Sequence, residues 1–164
     1  MMIEMKVASL TVDPFNSMPI LILTGDTGQS LPLWIGMGEA TAIAAELESI
    51  RLDRPMTHDL MKTILGLCAI AVDRVEIHDL RASTFFATLF LKRPDGAPVA
   101  VDARPSDAIA LALRARAPIF VAKKVIDKAM KNDLPLPTEP LVEPDLGAEV
   151  LEGLSERAFG KWKM

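Results

Sequence analysis

The sequence predicts an α+β domain in which a mixed or antiparallel sheet packs against helices. The order strand, strand, strand, helix occurs twice along the chain, and the two copies align without a gap at an offset of 68 residues. This offset places Gly28 on Gly96, both predicted turn residues, and Glu39 on Asp107, both predicted helix-start acids. Because turn glycines and helix-start acids seldom coincide by chance, we interpret the pattern as a duplicated βββα unit.

The first copy has three predicted strands and an alanine-rich helix. Alternating or continuous apolar residues predict strands at 3–12, 18–24 and 31–35 and a helix at 39–50. The run Gly25-Asp26-Thr27-Gly28 is typical of a hairpin turn between the second and third strands. Pro32 favours a sheet edge for the third strand, because proline cannot donate a ladder hydrogen bond.

A helix at 57–68, for which Thr57 is the predicted cap, separates the two copies. The later elements are predicted strands at 71–80, 83–92 and 97–103, a helix ending near Arg116, a strand at 118–121 and a helix at 122–131. From Asp133 onward four prolines fall within ten residues, and apolar residues between 150 and 159 recur at helical spacing. We therefore divide the chain into a domain at residues 1–132 and a Pro-rich linker with a short amphipathic tail helix at residues 133–164.

Composition and charge limit the function classes. Half of the 164 residues are hydrophobic, which is enough for one domain with a core. A net charge of −4 argues against a broad, non-specific nucleic-acid surface, although it allows a local basic groove. The single Cys68 excludes an internal disulfide, and its apolar surroundings predict a buried thiol. Glu4 and Lys6 interrupt the N-terminal apolar residues and no apolar run is long enough to span a bilayer, so we expect a cytoplasmic protein with no membrane partner.

Polar and charged side chains are most concentrated at residues 101–114, where a predicted strand leads into a predicted helix. Two acids, an arginine and a serine (Asp102, Arg104, Ser106 and Asp107) fall within six positions. Pro105 suits the first helical turn, and Ser106 with Asp107 suits a cap and a first-turn anion. Two interpretations stay open: these residues cap the helix, or they form a site held on rigid elements.

Carboxylates at the ends of predicted elements are candidate ligands for a divalent metal ion. The four carboxylates are Glu39, Asp59, Asp102 and Asp107. Such groups bind Mg²⁺ or Mn²⁺ together with substrate phosphates, and Arg54 and Arg104 have the fork geometry that pairs with phosphate. This set fits metal-assisted phosphodiester hydrolysis. The alternative is that the same side chains form caps and salt bridges. Neither His58 nor His78 has the ligand spacing of a zinc site.

Several stretches between residues 3 and 130 resemble the bifunctional nuclease domain family. The matching stretches are Leu33–Gly36 with Glu39-Ala40, Arg54-Pro55, Thr57–Leu60, Phe85–Ala87, Val101–Arg114 and Pro118–Ala122. The run Asp-Ala-Arg-Pro-Ser-Asp-Ala that begins at Asp102 is the most specific of them. The resemblance implies an α+β domain, a homo-oligomer with a dimer as the expected state, and nuclease activity on RNA and DNA.

We therefore hypothesise a nuclease of low sequence selectivity, with nucleic acid as its partner and Mg²⁺ or Mn²⁺ as the cofactor if it has one. The candidate catalytic residues are Asp102, Arg104, Asp107 and His58, the candidate substrate-binding residues are Arg54, Ser106 and Trp34, and the candidate metal ligands are Glu39, Asp59, Asp102 and Asp107. Asp102 and Arg104 have no counterpart in the first copy, which makes them the sharper candidates. The alternative is a non-enzymatic, oligomeric ligand-binding or regulatory module, which the acidic net charge favours.

Overall fold

The computed structural model describes residues 1–131, so the predicted linker and tail helix lie outside the described residues. The elements are β1 (Met2–Val12), β2 (Pro19–Gly25), β3 (Ser30–Trp34), α1 (Met37–Leu47), α2 (Thr57–Leu67), β4 (Ala71–Arg81), β5 (Thr84–Lys92), β6 (Pro98–Ala103), α3 (Pro105–Ala115), β7 (Ile119–Ala122) and α4 (Lys123–Lys131). No helix in this part of the chain is long and apolar enough to cross a membrane.

The strands form one seven-stranded mixed sheet in the order β3-β2-β1-β7-β4-β5-β6. All neighbours pair antiparallel except β4 and β7, which pair parallel. Two of its hairpin turns carry a glycine in the left-handed region, with φ of 87° at Gly28 and 80° at Gly96, a conformation that L side chains seldom adopt. The α+β prediction is confirmed.

The same order of elements, β-β-β-α, occurs twice in the structure. It runs from β1 to α1 and again from β4 to α3, and both helices have 11 residues. The helices begin at Met37 and Pro105, which differ by the offset of 68 that aligns the sequence. The duplication that we inferred from this order stays a prediction.

The two edges of the sheet come together through the helices that follow them. The edge strands are β3 and β6, and the position of Pro32 in β3 agrees with its predicted preference for an edge. β3 leads into α1 and β6 leads into α3, and these two helices pack against each other. Both helices bury small side chains, which allow close approach: Ala40, Ala42, Ala44 and Ala45 on one, and Ala108, Ala110 and Ala112 on the other. The starts of the two helices, which follow opposite edges of the sheet, are therefore brought together by helix packing.

The helix α2 corrects two sequence predictions. His58 is its one buried residue, whereas Cys68, which we expected to be buried, is exposed. An apolar periodicity shows that a helix has an apolar face but does not show that the same chain covers that face. Thr57 is not the cap: Met56 is the N-cap residue, and Asp59 Oδ2 accepts a hydrogen bond of 2.9 Å from the Met56 backbone N–H.

The helix α1 is shorter than predicted at its C-terminal end. It begins at Met37 rather than Glu39 and ends at Leu47 rather than Ile50. The chain turns at Ser49, which has a left-handed φ of 56°, and the Ile50 N–H then donates to the Ala45 carbonyl. This left-handed turn satisfies a carbonyl of the last helical turn, as C-terminal caps commonly do.

A charged cluster around Asp79 attaches α4 to β4. Asp79 is buried, and its carboxylate accepts hydrogen bonds from Arg81 Nε at 2.6 Å, from Lys128 Nζ at 3.1 Å and from the Leu80 N–H at 2.9 Å. The bonds from Arg81 and Lys128 hold the pKa of Asp79 well below its usual value. The carboxylate is therefore ionised throughout the physiological pH range.

Because the pKa of Asp79 is depressed in the folded state, its contribution to stability is present at neutral pH and is lost in acid. We expect Asp79→Asn to lower the Tm at pH 7, and its deficit relative to the wild type to shrink as the pH falls below about 4. Thermal unfolding followed by circular dichroism between pH 3 and pH 8 measures this. Asp26→Asn, in the β2–β3 turn, is the matched control, and an equal deficit in both variants at pH 7 would contradict the expectation.

Candidate active site

The candidate site lies where α1 and α3 begin. Arg104 is the N-cap residue of α3 and has an extended backbone, and Pro105 occupies the first helical position as predicted. Ser106 is the second helical residue and is buried, so its predicted role as the cap is wrong. The reason is Pro105, whose fixed φ already belongs to the helix and moves the start one residue earlier than a Ser106 cap requires.

Arg104 joins acids from two helices. Its Nε donates to Asp107 Oδ2 at 2.7 Å, and its Nη2 donates to Glu39 Oε1 at 2.5 Å. Glu39 and Asp107 lie in the first turns of α1 and α3, where a negative charge complements the positive end of the helix dipole. The Arg104 side chain is 68 % exposed, whereas that of Glu39 is only 18 % exposed. The guanidinium therefore keeps much of its surface open to a ligand.

Asp107 also orients a histidine from a third helix. His58 Nε2 lies 3.1 Å from Asp107 Oδ1, and the imidazole is largely buried. Burial raises the pKa of Asp107, but the hydrogen bonds from Arg104 and His58 lower it more, so the net pKa lies below the usual value. An ionised carboxylate only accepts hydrogen bonds, so neutral His58 carries its proton on Nε2 and a lone pair on Nδ1.

A buried arginine holds α2 in this position. Arg114 Nε donates to Asp59 Oδ1 at 2.6 Å, Nη2 donates to the Ala42 carbonyl at 3.0 Å and Nη1 donates to the Ala110 carbonyl at 2.9 Å. The Arg114 side chain is only 3 % exposed. Burial raises the pKa of Asp59, but its bonds to Arg114 and to the Met56 N–H outweigh burial and leave the pKa lower than usual. One side chain thus connects α1, α2 and α3.

The structure brings together some predicted site residues and separates others. Glu39, His58, Arg104 and Asp107 form one hydrogen-bonded group, which we call the Arg104 cluster. Of the other candidates, Ser106 is buried in the first turn of α3 and Asp59 binds Arg114. Within residues 1–131 no hydrogen bond joins the cluster to the last three, which are Asp102 on the edge strand β6 opposite Thr88, Trp34 with its Nε1–H on Asp13 Oδ2 at 3.0 Å, and Arg54 in the exposed loop before α2. Asp102 precedes Arg104 by two residues, the spacing that places both on one side of an extended chain.

The predicted group of four carboxylate metal ligands is not assembled. In residues 1–131 no three or more His, Cys, Asp or Glu side chains are arranged to hold a metal ion. Glu39 and Asp107 bind the Arg104 guanidinium, and Asp59 binds Arg114, so a divalent cation would have to displace a bound cationic group. These donors do not fit a preformed Mg²⁺ or Mn²⁺ site, because its carboxylates must be free to face the ion.

The role of Arg114 was not predicted from the sequence. One feature of the sequence could have indicated it: Arg114 is a single cation at the end of an otherwise apolar helical run. It follows Asp107 by seven residues, about two helical turns, so both side chains lie close to one face of the helix. A cation on the buried face of a helix needs partners inside the protein, because an unpaired buried charge is costly. Asp59, which we assigned to a metal, is that partner.

The fold and the cluster define an α+β domain whose polar site combines an exposed guanidinium with a carboxylate-oriented imidazole. The chain belongs to the bifunctional nuclease domain family, whose family model matches residues 21–133. The resemblance expected from the sequence is confirmed.

Curated relatives extend the comparison. The chain is 38 % identical over 127 residues to an uncharacterized protein of Mycobacterium tuberculosis, which covers 77 % of this chain and 75 % of that protein. It is 28 % identical over 130 residues to Bifunctional nuclease 1 of Oryza sativa subsp. indica, covering 76 % of this chain and 39 % of that protein. It is also 29 % identical over 106 residues to Bifunctional nuclease 1 of Arabidopsis thaliana, covering 63 % of this chain and 33 % of that protein.

The contacts of Arg114 predict a large loss of stability when it is replaced. We expect Arg114→Met to lower the free energy of unfolding by about 2 kcal/mol or more, because it removes the three hydrogen bonds by which the guanidinium connects α1, α2 and α3. Chemical denaturation at pH 7 measures the change. Arg116→Met, at an exposed position two residues further on, removes the same charge and should cost no more than about 0.5 kcal/mol. Equal costs in the two variants would show that Arg114 does not hold the helices together.

Proposed function

We propose that this protein is a nuclease that hydrolyses RNA and DNA phosphodiester bonds with low sequence selectivity. The observation that carries the proposal is the Arg104 cluster, in which an exposed guanidinium and a carboxylate-oriented histidine share Asp107. The family's description and the names of the plant relatives support the same activity.

Arg104 is the proposed phosphate-binding group. Its hydrogen bonds to Glu39 and Asp107 use two of the five N–H donors of the guanidinium, and the side chain is 68 % exposed. The other donors are available for the non-bridging oxygens of a phosphodiester. Charge that develops on these oxygens in the transition state is then stabilised by donors that two carboxylates already hold in position.

His58 is the proposed general base. With Nε2–H held by ionised Asp107, the Nδ1 lone pair takes a proton from the attacking water or from a ribose 2′-hydroxyl as the oxygen bonds to phosphorus. The P–O bond to the leaving nucleotide breaks, and the imidazolium returns the proton to the leaving oxygen. Asp107 orients the ring and stabilises the imidazolium that forms. Asp102 is proposed as a further acidic group beside Arg104. Low selectivity follows because the phosphodiester is common to every nucleotide.

Cleavage of labelled single-stranded RNA and DNA tests the proposal. We expect His58→Gln and Arg104→Lys each to reduce kcat/KM about 100-fold or more, because each removes an oriented general base or phosphate donor. Asp102→Asn in the same series measures how much the Asp102 carboxylate contributes to kcat/KM. Assays with Mg²⁺, with Mn²⁺ and with a chelator establish whether a metal is needed.

Arg93→Lys is the matched control for Arg104→Lys, because Arg93 is an exposed arginine in the β5–β6 turn, outside the cluster. It should leave cleavage unchanged. Circular dichroism of each variant separates lost activity from lost fold. Undiminished cleavage by both His58→Gln and Arg104→Lys would exclude the cluster as the active site. If the wild-type protein cleaves neither RNA nor DNA under any of these conditions, the proposed nuclease function is excluded.

A second candidate function is an oligomeric binding module, and the surface of α2 favours it. Four large apolar side chains of this helix are exposed, namely Leu60 (52 %), Met61 (39 %), Ile64 (50 %) and Leu67 (83 %). The spacing of Leu60, Ile64 and Leu67 places these three on one helix face. Exposed apolar surface of this kind marks protein–protein contacts, and a second copy of α2 has a matching surface.

The proposed dimer is tested by a charge on this face. We expect wild-type protein to have the mass of a dimer in size-exclusion chromatography with light scattering, and Ile64→Glu to convert it to a monomer, because two buried carboxylates would face each other across the interface. Lys62→Glu, on the same helix but at a polar position, is the control. A monomeric wild-type protein would contradict this role of α2.

A further inference from the structure

A cleft of about 480 Å³ lies against the C-terminal part of α1, the N-terminal half of α2 and Arg114 of α3, and it has no role in the proposed chemistry. It is bounded by the loop at residues 50–56 and by side chains of α1, α2 and α3. Its volume falls within the range of small-ligand pockets, roughly 300–1,000 Å³. The structure therefore has a concave surface large enough for a small organic ligand.

The lining of the cleft divides into an apolar part and a charged part. The apolar side chains include Ile50, Leu52, Pro55 and Met56. The charged side chains are Arg51, Arg54, Lys62 and Arg114 against Glu46, Asp53 and Asp59, so four cations and three carboxylates leave a net charge of +1. An anionic ligand with an apolar portion matches this lining.

Two of these cations are available to a ligand. Arg114 is bound to Asp59, and Arg51 lies 3.8 Å from Glu46. In the described part of the chain, no carboxylate lies within 4.0 Å of the Arg54 guanidinium or the Lys62 ammonium, and both residues are exposed. Cations without a partner carboxylate are the groups that phosphate oxygens bind most readily.

The Arg104 cluster requires additional positive charge nearby to bind a phosphodiester. It contains two carboxylates and one guanidinium, so with neutral His58 its net charge is −1. A phosphodiester is also an anion, and cations close by must offset this repulsion. His58 contacts the cluster, and the next residue, Asp59, contacts Arg114 in the wall of the cleft. The first turn of α2 therefore supplies one residue to the cluster and the next residue to the wall of the cleft.

We propose that this cleft binds one unpaired nucleotide of the substrate, with its phosphate on Arg54 and Lys62 and its base against the apolar lining at Leu52, Pro55 and Met56. The inference rests on the proposed nuclease function and specifies its substrate as a single strand. A base in a duplex is stacked and paired, and entry into a cleft of this size requires it to leave the stack. Without base-specific hydrogen bonds, apolar contact accepts any base, as low selectivity requires.

Binding of a non-cleavable ligand tests the cleft independently of catalysis. Isothermal titration calorimetry of the full chain with adenosine monophosphate should show binding at least tenfold tighter than that of inorganic phosphate, because the base adds apolar contacts. The double variant Arg54→Ala, Lys62→Ala should weaken adenosine monophosphate binding at least tenfold, since it removes both phosphate contacts. The matched control is Lys92→Ala, Arg93→Ala, which removes two exposed cations at the end of β5 and should bind as the wild type does.

Kinetics on oligonucleotides tests the preference for a single strand. We expect wild-type protein to cleave single-stranded RNA at least tenfold faster than the same sequence in a duplex, and the cleft double variant to raise KM with little change in kcat, since it removes binding rather than chemistry.

The outcomes separate the two proposals. Unchanged binding of adenosine monophosphate by the cleft variant, or equal cleavage of single strand and duplex, would overturn the cleft proposal and leave the nuclease standing. Cleft-dependent binding of adenosine monophosphate in a protein that cleaves no substrate would support the cleft as a nucleotide site and overturn the nuclease.

Discussion

The arrangement of the three site helices depends on one buried cation, Arg114. Its guanidinium donates to the α2 carboxylate of Asp59, to a carbonyl of α1 and to a carbonyl of α3. The helix α2 has little apolar burial of its own: His58 is its one buried residue, and among its apolar side chains only Leu65 packs, partly buried, against the core. The position of a helix is normally set by the burial of its apolar face. In α2 the hydrogen bond between Arg114 and Asp59 takes over this role. Directional hydrogen bonds from a planar fork set the position and orientation of α2 more narrowly than apolar contact does.

This constraint places the catalytic candidates. Residues 58 and 59 are neighbours in the first turn of α2, so fixing Asp59 against Arg114 also fixes His58 beside Asp107. The burial of Arg114 carries a desolvation cost, which three hydrogen bonds offset. Arg114 thus determines both how the three helices pack and where His58 lies relative to Asp107. Because the exposed face of α2 then points away from the core, the connection also leaves the apolar side chains available to a second copy.

The sequence was sufficient for the elements and for part of the site. Turn glycines, apolar periodicity and Pro32 predicted the strands, the hairpins and one edge of the sheet, because these depend on nearby residues. Glu39 and Asp107 were correctly predicted in first helical turns, but their meeting on Arg104 requires α1 and α3 to pack against each other, which no local pattern encodes. The burial of Cys68 was wrong for a related reason: periodicity identifies a face but not the surface that covers it.

The difference between the two βββα units explains why the site is asymmetric. Glu39 and Asp107 both occupy the third helical position, and the N-cap residues before them are Gly36 and Arg104. A Cβ at Gly36 would meet the Glu39 carboxylate, so this position has no room for a side chain while that carboxylate lies in its observed place. A single arginine therefore serves both acids, and a second one opposite it would bring two guanidinium groups together. The bonds to two acids hold Arg104 in place, while His58 approaches only Asp107, so the two equivalent acids acquire different roles. Among the described residues, Glu39 holds only Arg104, whereas Asp107 shares that task and also orients the imidazole of His58.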